Sequence, residues 1–311
     1  MIIDLLVQLL IFAVALVVLA SASHFTIKSI EKLIEITGLS DISAGFVILA
    51  VMTSTPEMIV ALFSVLQGTP GISIGDILGS NVFNVGAVIG ILGMLGYLKT
   101  CCTDRLVELT DILFLTSLIP LLLVIVKVFS SIVGAILLAI FLVSIYFMAK
   151  KKTPIVKASN SAALGEESKK KVLAMLILGF SGVFIAANLV VSSGINIAGI
   201  LGAPPILIGA KVVSIGTSLP ELTLDLAAVR RGRVQLAIGD ILGSNLTNLT
   251  LVLGLVLLTS PFAVDLAIFT EILPFLLITT IVFWRFLTRG GVSQVGGIIL
   301  IMSYILFQAV L

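Results

Sequence analysis

Thr53-Ser54-Thr55-Pro56-Glu57 recurs 164 residues later as Thr217-Ser218-Leu219-Pro220-Glu221. The same offset carries Gly75-Asp76-Ile77-Leu78-Gly79-Ser80-Asn81 onto Gly239-Asp240-Ile241-Leu242-Gly243-Ser244-Asn245, and Asn84 onto Asn248. Two long matches in one register mark an internal duplication. Its meaning depends on the solvent around it. Of 311 residues, 59% are hydrophobic and only 11% charged, and the mean hydropathy is +1.29, which excludes a soluble domain. Apolar stretches of about 18 residues or more, enough to cross a roughly 30 Å hydrocarbon core as helix, recur along the whole chain. They are continuous rather than alternating, so the sequence predicts membrane helices and not barrel strands.

Spans are predicted near residues 3–23, 42–67, 71–97, 106–126, 129–149, 172–193, 203–229, 234–258, 263–286 and 291–311. Residues 1–149 form the first group of five and 172–311 the second. Between them, residues 150–171 are a polar linker with seven lysines and two glutamates. Five spans separate equivalent positions of the repeat. Five is odd, so the two copies cross the membrane in opposite directions. The expected fold class is therefore an all-α polytopic membrane protein: ten transmembrane helices as two inverted five-helix repeats, with broken helices at the repeated motif.

Orientation follows from lysine and arginine in the loops. With the N-terminus outside, the inner loops hold Lys28, Lys32, Lys99, Arg105, the linker lysines, Arg230, Arg231, Arg233, Arg285 and Arg289, which is 16 of 18 basic residues. Lys127 falls in an outer loop and Lys211 inside a span, so both termini are expected outside. The N-terminus has no basic n-region and no small-residue cleavage site, which predicts a retained span in a plasma-membrane protein rather than a signal peptide. The lipid bilayer is the expected partner. The near-balanced charge of +2 gives no reason to invoke nucleic acid, and no obligate protein partner is evident. Cys101 and Cys102 are adjacent in one loop, poorly placed to bridge each other or to form a metal site.

Inversion sets a motif near the middle of one half against its copy at similar depth, so Glu57 and Glu221 should converge. An ionised carboxylate at the bilayer centre costs at least about 2.5 kcal/mol, so such residues face protein or a water-filled cavity and serve function. Two facing each other demand cations. The prolines explain how a cation is held: each lacks an N–H and its ring displaces the carbonyl four residues earlier. Main-chain oxygens are thereby freed near Met52 and Thr53, and near Gly216 and Thr217, inside the membrane. Carboxylate, carbonyl, hydroxyl and amide oxygens are hard ligands, suited to Na⁺ or Ca²⁺ rather than zinc or copper. Ca²⁺ takes about six to eight oxygens. Glu57, Glu221, the loosened carbonyls and the side chains of Ser80, Asn84, Ser244 and Asn248 can supply them, with close helix packing as the alternative role for the serines and asparagines. Asn81 and Asn245 are expected to pack rather than ligate.

These motifs resemble those of the cation/calcium antiporter superfamily, and within it the sodium/calcium exchangers, whose two repeats carry G-T-S-x-P-E and G-x-x-x-G-S-N-x-x-N. The likeness spans nearly the whole chain. The second copy follows the pattern closely, and the first has Met52 where the family has glycine. The resemblance implies ten helices, alternating access, and competition of several Na⁺ with one Ca²⁺; these are transported ions, and no cofactor is implied. It also implies metal contacts at Thr53, Ser54, Glu57, Ser80 and Asn84, and at Thr217, Ser218, Glu221, Ser244 and Asn248. In the potassium-dependent branch the equivalent of Asn248 is aspartate. Here both copies carry a neutral amide, so two fixed charges and no K⁺ requirement are expected.

Asp76 and Asp240 stand where many relatives have asparagine. They are expected to cap or brace helix termini, with a part in the ion pathway as the alternative. Asp225, one turn after Glu221, is expected to pair with Arg230 or Arg231, or else to line an inner approach to the site. Lys211 is expected to snorkel outward, and His24 and Trp284 to be interfacial. An intramembrane protease is disfavoured by a single peripheral histidine, so no enzyme is expected. H⁺/Ca²⁺ antiport and a passive cation channel are the competing readings, and protons can always compete for such carboxylates.

Overall fold

The computed structural model describes residues 2–37, 51–99, 104–121, 131–150, 166–260 and 266–310. Cys101, Cys102, Lys127, most of the linker and the start of the second span lie outside the described residues. Regular structure among the described residues is entirely helical, as it must be where lipid offers the backbone no hydrogen-bond partner. We label the helices α1 (Ile2–Thr37), α2 (Thr55–Leu66), α3 (Pro70–Met94), α4 (Asp104–Ser117), α5 (Ser131–Lys150), α6 (Glu166–Leu201), α7 (205–217), α8 (Leu219–Arg230), α9 (Val234–Thr259), α10 (Leu266–Thr288) and α11 (Gln294–Val310).

Among the described residues six stretches are long and apolar enough to cross a bilayer: Ile3–Ser29, Pro70–Met94, Lys170–Leu201, Pro205–Arg230, Val234–Thr259 and Glu271–Thr288. Thr55–Leu66, Ser131–Tyr146 and Gln294–Val310 are shorter apolar helices. Several helices outrun their expected limits. α1 continues well past residue 23, so that Lys28 lies on helix rather than in a loop, and helix encroaches on the linker at both ends, at Lys150 and from Glu166.

α1 and α6 are each 36 residues long, and their limits are related by the same 164-residue offset as the motifs. They pack along each other more extensively than any other two described helices. Phe12, Ala15 and Leu19 meet Val183, Ala187, Val190 and Val191 there. Their other faces expose Ile3, Leu6, Val14 and Val17, or Leu178 and Ile185, as suits a face in contact with acyl chains that are as apolar as leucine. The burial of each span sorts core from periphery: 89% of the apolar window of α3 and 83% of that of α9 is buried, against 17% for α1. α3 and α9 are thus the central pair, with Ile77, Leu78 and Val82 in one cluster with Ile238, Ile241, Leu242 and Leu249.

Small residues let the site helices approach at backbone distance. A Cβ on Gly75 or Gly79 of α3 would strike the main-chain oxygen of Ile206 or Ala210 on α7, and one on Gly209 would strike that of Ile72. Glycine from both partners makes this crossing possible. Within α3, Phe83–Ile89 is wound as π-helix, and so is Asn248–Val252 within α9. Such wider turns were not foreseen in the sequence. They insert an extra residue per turn, recur at functional sites, and here include Asn84 and Asn248.

Candidate cation site

Both prolines produce the expected breaks, and each break is one residue wide. A helical turn over residues 51–53 stops at Ser54 (φ −78°, ψ 6°), after which α2 begins with Pro56 in its first turn. In the second copy α7 stops at Ser218 (φ −94°, ψ 5°) and α8 begins with Pro220 in its first turn. Near-zero ψ places both serines in the sparsely allowed bridge region. Pro56 and Pro220 cannot supply the N–H that the carbonyls of Met52 and Gly216 would accept in a continuous helix. Each break also starts a new helix inside the protein, with Glu57 or Glu221 in its first turn. The positive end of the helix dipole favours an anionic side chain there.

The two copies then bind each other crosswise. Thr217 Oγ1 donates to Asp76 Oδ1 at 2.9 Å, and Thr53 Oγ1 donates to Asp240 Oδ1 at 3.3 Å; these pairs are equivalent under the repeat. The serines cross likewise. Ser80 Oγ lies 3.3 Å from Thr217 Oγ1, and Ser244 Oγ lies 2.7 Å from Thr53 Oγ1 and 3.3 Å from Ser54 Oγ. Ser218 Oγ donates to Glu57 Oε1 of the other copy at 3.3 Å, while Ser244 Oγ donates to Glu221 Oε1 at 3.5 Å. Thr53, Ser54, Ser244 and Glu221 are thereby joined in one hydrogen-bonded group, Ser80 and Thr217 in a second through Asp76, and Ser218 with Glu57 in a third; all eight were expected at the site, and each is 0% exposed.

The four asparagines differ in their partners, although Asn81 Oδ1, like Asn84 Oδ1, is buried without one among the described residues. Asn245 Nδ2 donates to the main-chain oxygen of Asn81 at 3.4 Å, and Asn81 Nδ2 donates to that of Ile77 at 2.6 Å, which ties these two into packing. Asn84 Nδ2 donates to Asn245 Oδ1 at 3.0 Å, leaving Asn84 Oδ1 as an acceptor. Among the described residues Asn84 Oδ1, both side-chain atoms of Asn248, Glu57 Oε2 and Glu221 Oε2 are buried without a hydrogen-bond partner. Buried polar atoms without partners are rare and costly, which makes these oxygens candidate ion ligands. Among the described residues no three carboxylate, imidazole or thiol groups converge closely enough to cage a metal. A cation held at such a centre would draw mainly on hydroxyl, amide and main-chain oxygens.

Three further acids lie in the same interior. Asp76 and Asp240 are fully buried, well inside α3 and α9. They do not cap helix ends; they hold threonines across the two copies. Asp225 is also 0% exposed, and neither of its carboxylate oxygens has a hydrogen-bond partner among the described residues. It is not paired with Arg230 or Arg231, which are exposed at the end of α8. A charged residue inside an apolar span was the signal, and a pairing with nearby arginines was the wrong resolution of it, because the side chain faces the bundle instead. Among the described residues five acids, rather than two, are thus buried inside the bundle. Lys211 is half-buried and donates to the main-chain oxygen of Gln308 at 2.9 Å. His24 lies 3.4 Å from Thr223 Oγ1, and Trp284 Nε1 donates to Asp111 Oδ1 at 2.7 Å, both in exposed settings.

Helices crossing a membrane around a buried, acidic, hydroxyl-rich centre, built twice from one motif, define the class of helical membrane proteins with an intramembrane ion site. The chain belongs to the sodium/calcium exchanger protein family, whose model matches residues 7–150 and 171–311. The sodium/calcium exchanger MaX1 of Methanosarcina acetivorans is 25% identical over 98% of both chains. The putative antiporter CaxA of Alkalimonas amylolytica is 28% identical over 88% of both. Among solved structures, the sodium-calcium exchanger NCX_Mj superposes with a TM-score of 0.68 at 25% identity, covering 97% of this chain and 98% of that one. The H⁺/Ca²⁺ exchanger CAX superposes with a TM-score of 0.80 at 17% identity, covering 96% and 81%. That last likeness speaks to fold alone.

Proposed function

We propose that this chain is a secondary-active antiporter that exchanges Na⁺ for Ca²⁺ by alternating access at one mid-membrane site shared by both ions. The observation that carries this reading is the crosswise bonding: Glu57 and Glu221, fully buried, each keep one unpartnered oxygen while the other accepts from a second-copy serine, Ser218 or Ser244. Family membership and the printed activities of MaX1 and NCX_Mj support it. The ligands are the two glutamates with the side-chain oxygens of Thr53, Ser54, Ser80, Asn84, Thr217, Ser218, Ser244 and Asn248. Either ion set neutralises the carboxylates, so the loaded carrier reorients, whereas the empty one would carry bare charge through a low-dielectric constriction. The chain is a transporter rather than an enzyme. Ten spans in two inverted halves, residues 1–149 and 172–311, joined by a cytoplasmic linker over 150–171, with both termini outside the plasma membrane, complete the proposal.

A second reading, H⁺/Ca²⁺ antiport, draws on the number of buried acids, since carboxylates take protons as readily as metal ions. Uptake of ⁴⁵Ca²⁺ into proteoliposomes under imposed Na⁺, K⁺ or pH gradients decides. Uptake driven by an outward Na⁺ gradient at fixed pH is the expected result. Uptake driven only by a pH gradient selects the second reading, and Ca²⁺ flux without counterflow selects a channel.

A further inference from the structure

Asp225 has no part in the shared site described above. It is 0% exposed, and neither oxygen of its carboxylate has a hydrogen-bond partner among the described residues. Asp225 and Asp240 stand on the consecutive helices α8 and α9, and both are fully buried. We propose that Asp225, with Asp240 beside it, holds one monovalent alkali cation at a position separate from the glutamate centre, on the side of the α8–α9 turn. The inference rests on the exchange reading and adds an ion to it.

Geometry along the helices fixes the place. Asp225 precedes the end of α8 at Arg230 by five residues, and Asp240 follows the start of α9 at Val234 by six. At 1.5 Å per residue these acids stand about 8 and 9 Å from the turn that joins the two helices, at matched depth. Glu221 lies one turn, about 5 to 6 Å, deeper. In the proposed topology the turn is cytoplasmic, so an ion reaching the glutamates from inside passes Asp225. The position has no counterpart in the first half, where Ala61 occupies the equivalent place, so the device is one-sided.

Charge and ligand supply select the occupant. A buried carboxylate with no donor is costly to hold as a bare ion, and Glu221 and Asp240 add negative potential. The basic groups near α8 do not compensate it: Arg230 and Arg231 are exposed beyond it, and His24 of α1 meets Thr223 on the exposed face. Ca²⁺ takes six to eight oxygens, and among the described residues no hydroxyl or amide hydrogen-bonds to Asp225. One carboxylate matches one single charge, with water completing the shell.

Equilibrium binding of ⁴⁵Ca²⁺, ²²Na⁺ and ⁸⁶Rb⁺ (standing in for K⁺) to purified full-length protein in detergent tests this. The wild type should bind one alkali ion per chain more than Asp225→Asn, and more than Asp225→Ala, which installs the residue found at position 61. The Ca²⁺ count should be the same in all three, which also reports that the variants fold. A loss confined to ²²Na⁺ assigns the position to Na⁺, and a loss confined to ⁸⁶Rb⁺ assigns it to K⁺. Equal counts of both isotopes in wild type and variants, with Ca²⁺ bound by all, overturn this proposal alone and leave Asp225 as a proton carrier or structural acid. A wild type that binds neither Ca²⁺ nor an alkali ion overturns the exchange reading together with it. Should neither variant purify, the wild type carries the test: one alkali ion per chain must survive saturating Ca²⁺, and its complete displacement sinks the idea.

Discussion

Glu57 and Glu221 each combine full burial, a place in the first turn of a helix that starts inside the protein, and one unpartnered oxygen. A unit charge about 4 Å from a cation is worth about 4 kcal/mol at an effective dielectric constant of 20, and 1.4 kcal/mol is a factor of ten. Glu57→Gln and Glu221→Gln should therefore each weaken Ca²⁺ binding by roughly a thousandfold and abolish flux in proteoliposomes. Near-normal exchange by either purified variant contradicts a shared site. Thr217 presents a finer case, since its hydroxyl reaches Asp76 at 2.9 Å in a fully buried setting. A hydrogen bond to a charged group contributes about 1.5 to 3 kcal/mol. Thr217→Val should thus lower apparent Ca²⁺ affinity about tenfold or more, and Thr217→Ser should restore most of it. Wild-type affinity in the valine variant would place the Thr217–Asp76 bond outside the ion site.

Between elements, the crossing of α3 and α7 sets how closely the two copies of the motif meet. Gly75 and Gly79 lie against main-chain oxygens of Ile206 and Ala210, and main chain cannot swing aside as a flexible side chain does. Overpacking a tight interior costs typically about 1 to 3 kcal/mol, and rigid backbone on the far side puts Gly79→Val at the upper end. Its thermal unfolding temperature in detergent should fall by several degrees, with Ca²⁺ flux lost as the crosswise bonds open. Gly199 in α6 is the control, because a Cβ there meets nothing within 4 Å. Gly199→Ala should unfold at the wild-type temperature or above it, since alanine favours helix over glycine by about 1 kcal/mol. Equal destabilisation by both substitutions would show that helix propensity, and not the crossing, governs.

At the scale of the molecule, the proposed inverted halves and the bias of basic residues place the loop at Gly68 outside and the linker at Ser159 inside. Gly68 is exposed in the turn between α2 and α3. After replacement of Cys101 and Cys102, single cysteines at positions 68 and 159 should react with a membrane-impermeant maleimide from opposite sides. Reaction of both from one side overturns the inverted arrangement. The linker joins two halves whose crosswise bonds come from α2, α3, α7, α9 and the breaks at Thr53 and Ser218, so removing several residues from 153–163 should leave Na⁺-driven ⁴⁵Ca²⁺ uptake within about twofold of wild type, loop closure costing little per residue. Loss of uptake in a well-folded deletion would give the linker an active part in transport.

Helical membrane architecture, the duplication and the identity of most ligand candidates were legible in the chain. A bilayer imposes a fixed length of apolar helix, and proline beside a buried acid writes its effect into neighbouring backbone. The family followed from the same motifs, because residues that hold an ion recur at fixed spacing. Tertiary structure alone decided what lies across from what. The pairs Thr217–Asp76 and Thr53–Asp240 join residues far apart in sequence, and no local preference reports a contact made by folding one copy onto the other. It also moved Asp225 from an expected surface pair into the interior, since about half a turn of helix separates the exposed face from the buried one. The π-turns at Asn84 and Asn248 belong to the same category: the inserted residue leaves no mark in composition or periodicity, and its place is set by how α3 and α9 fit together.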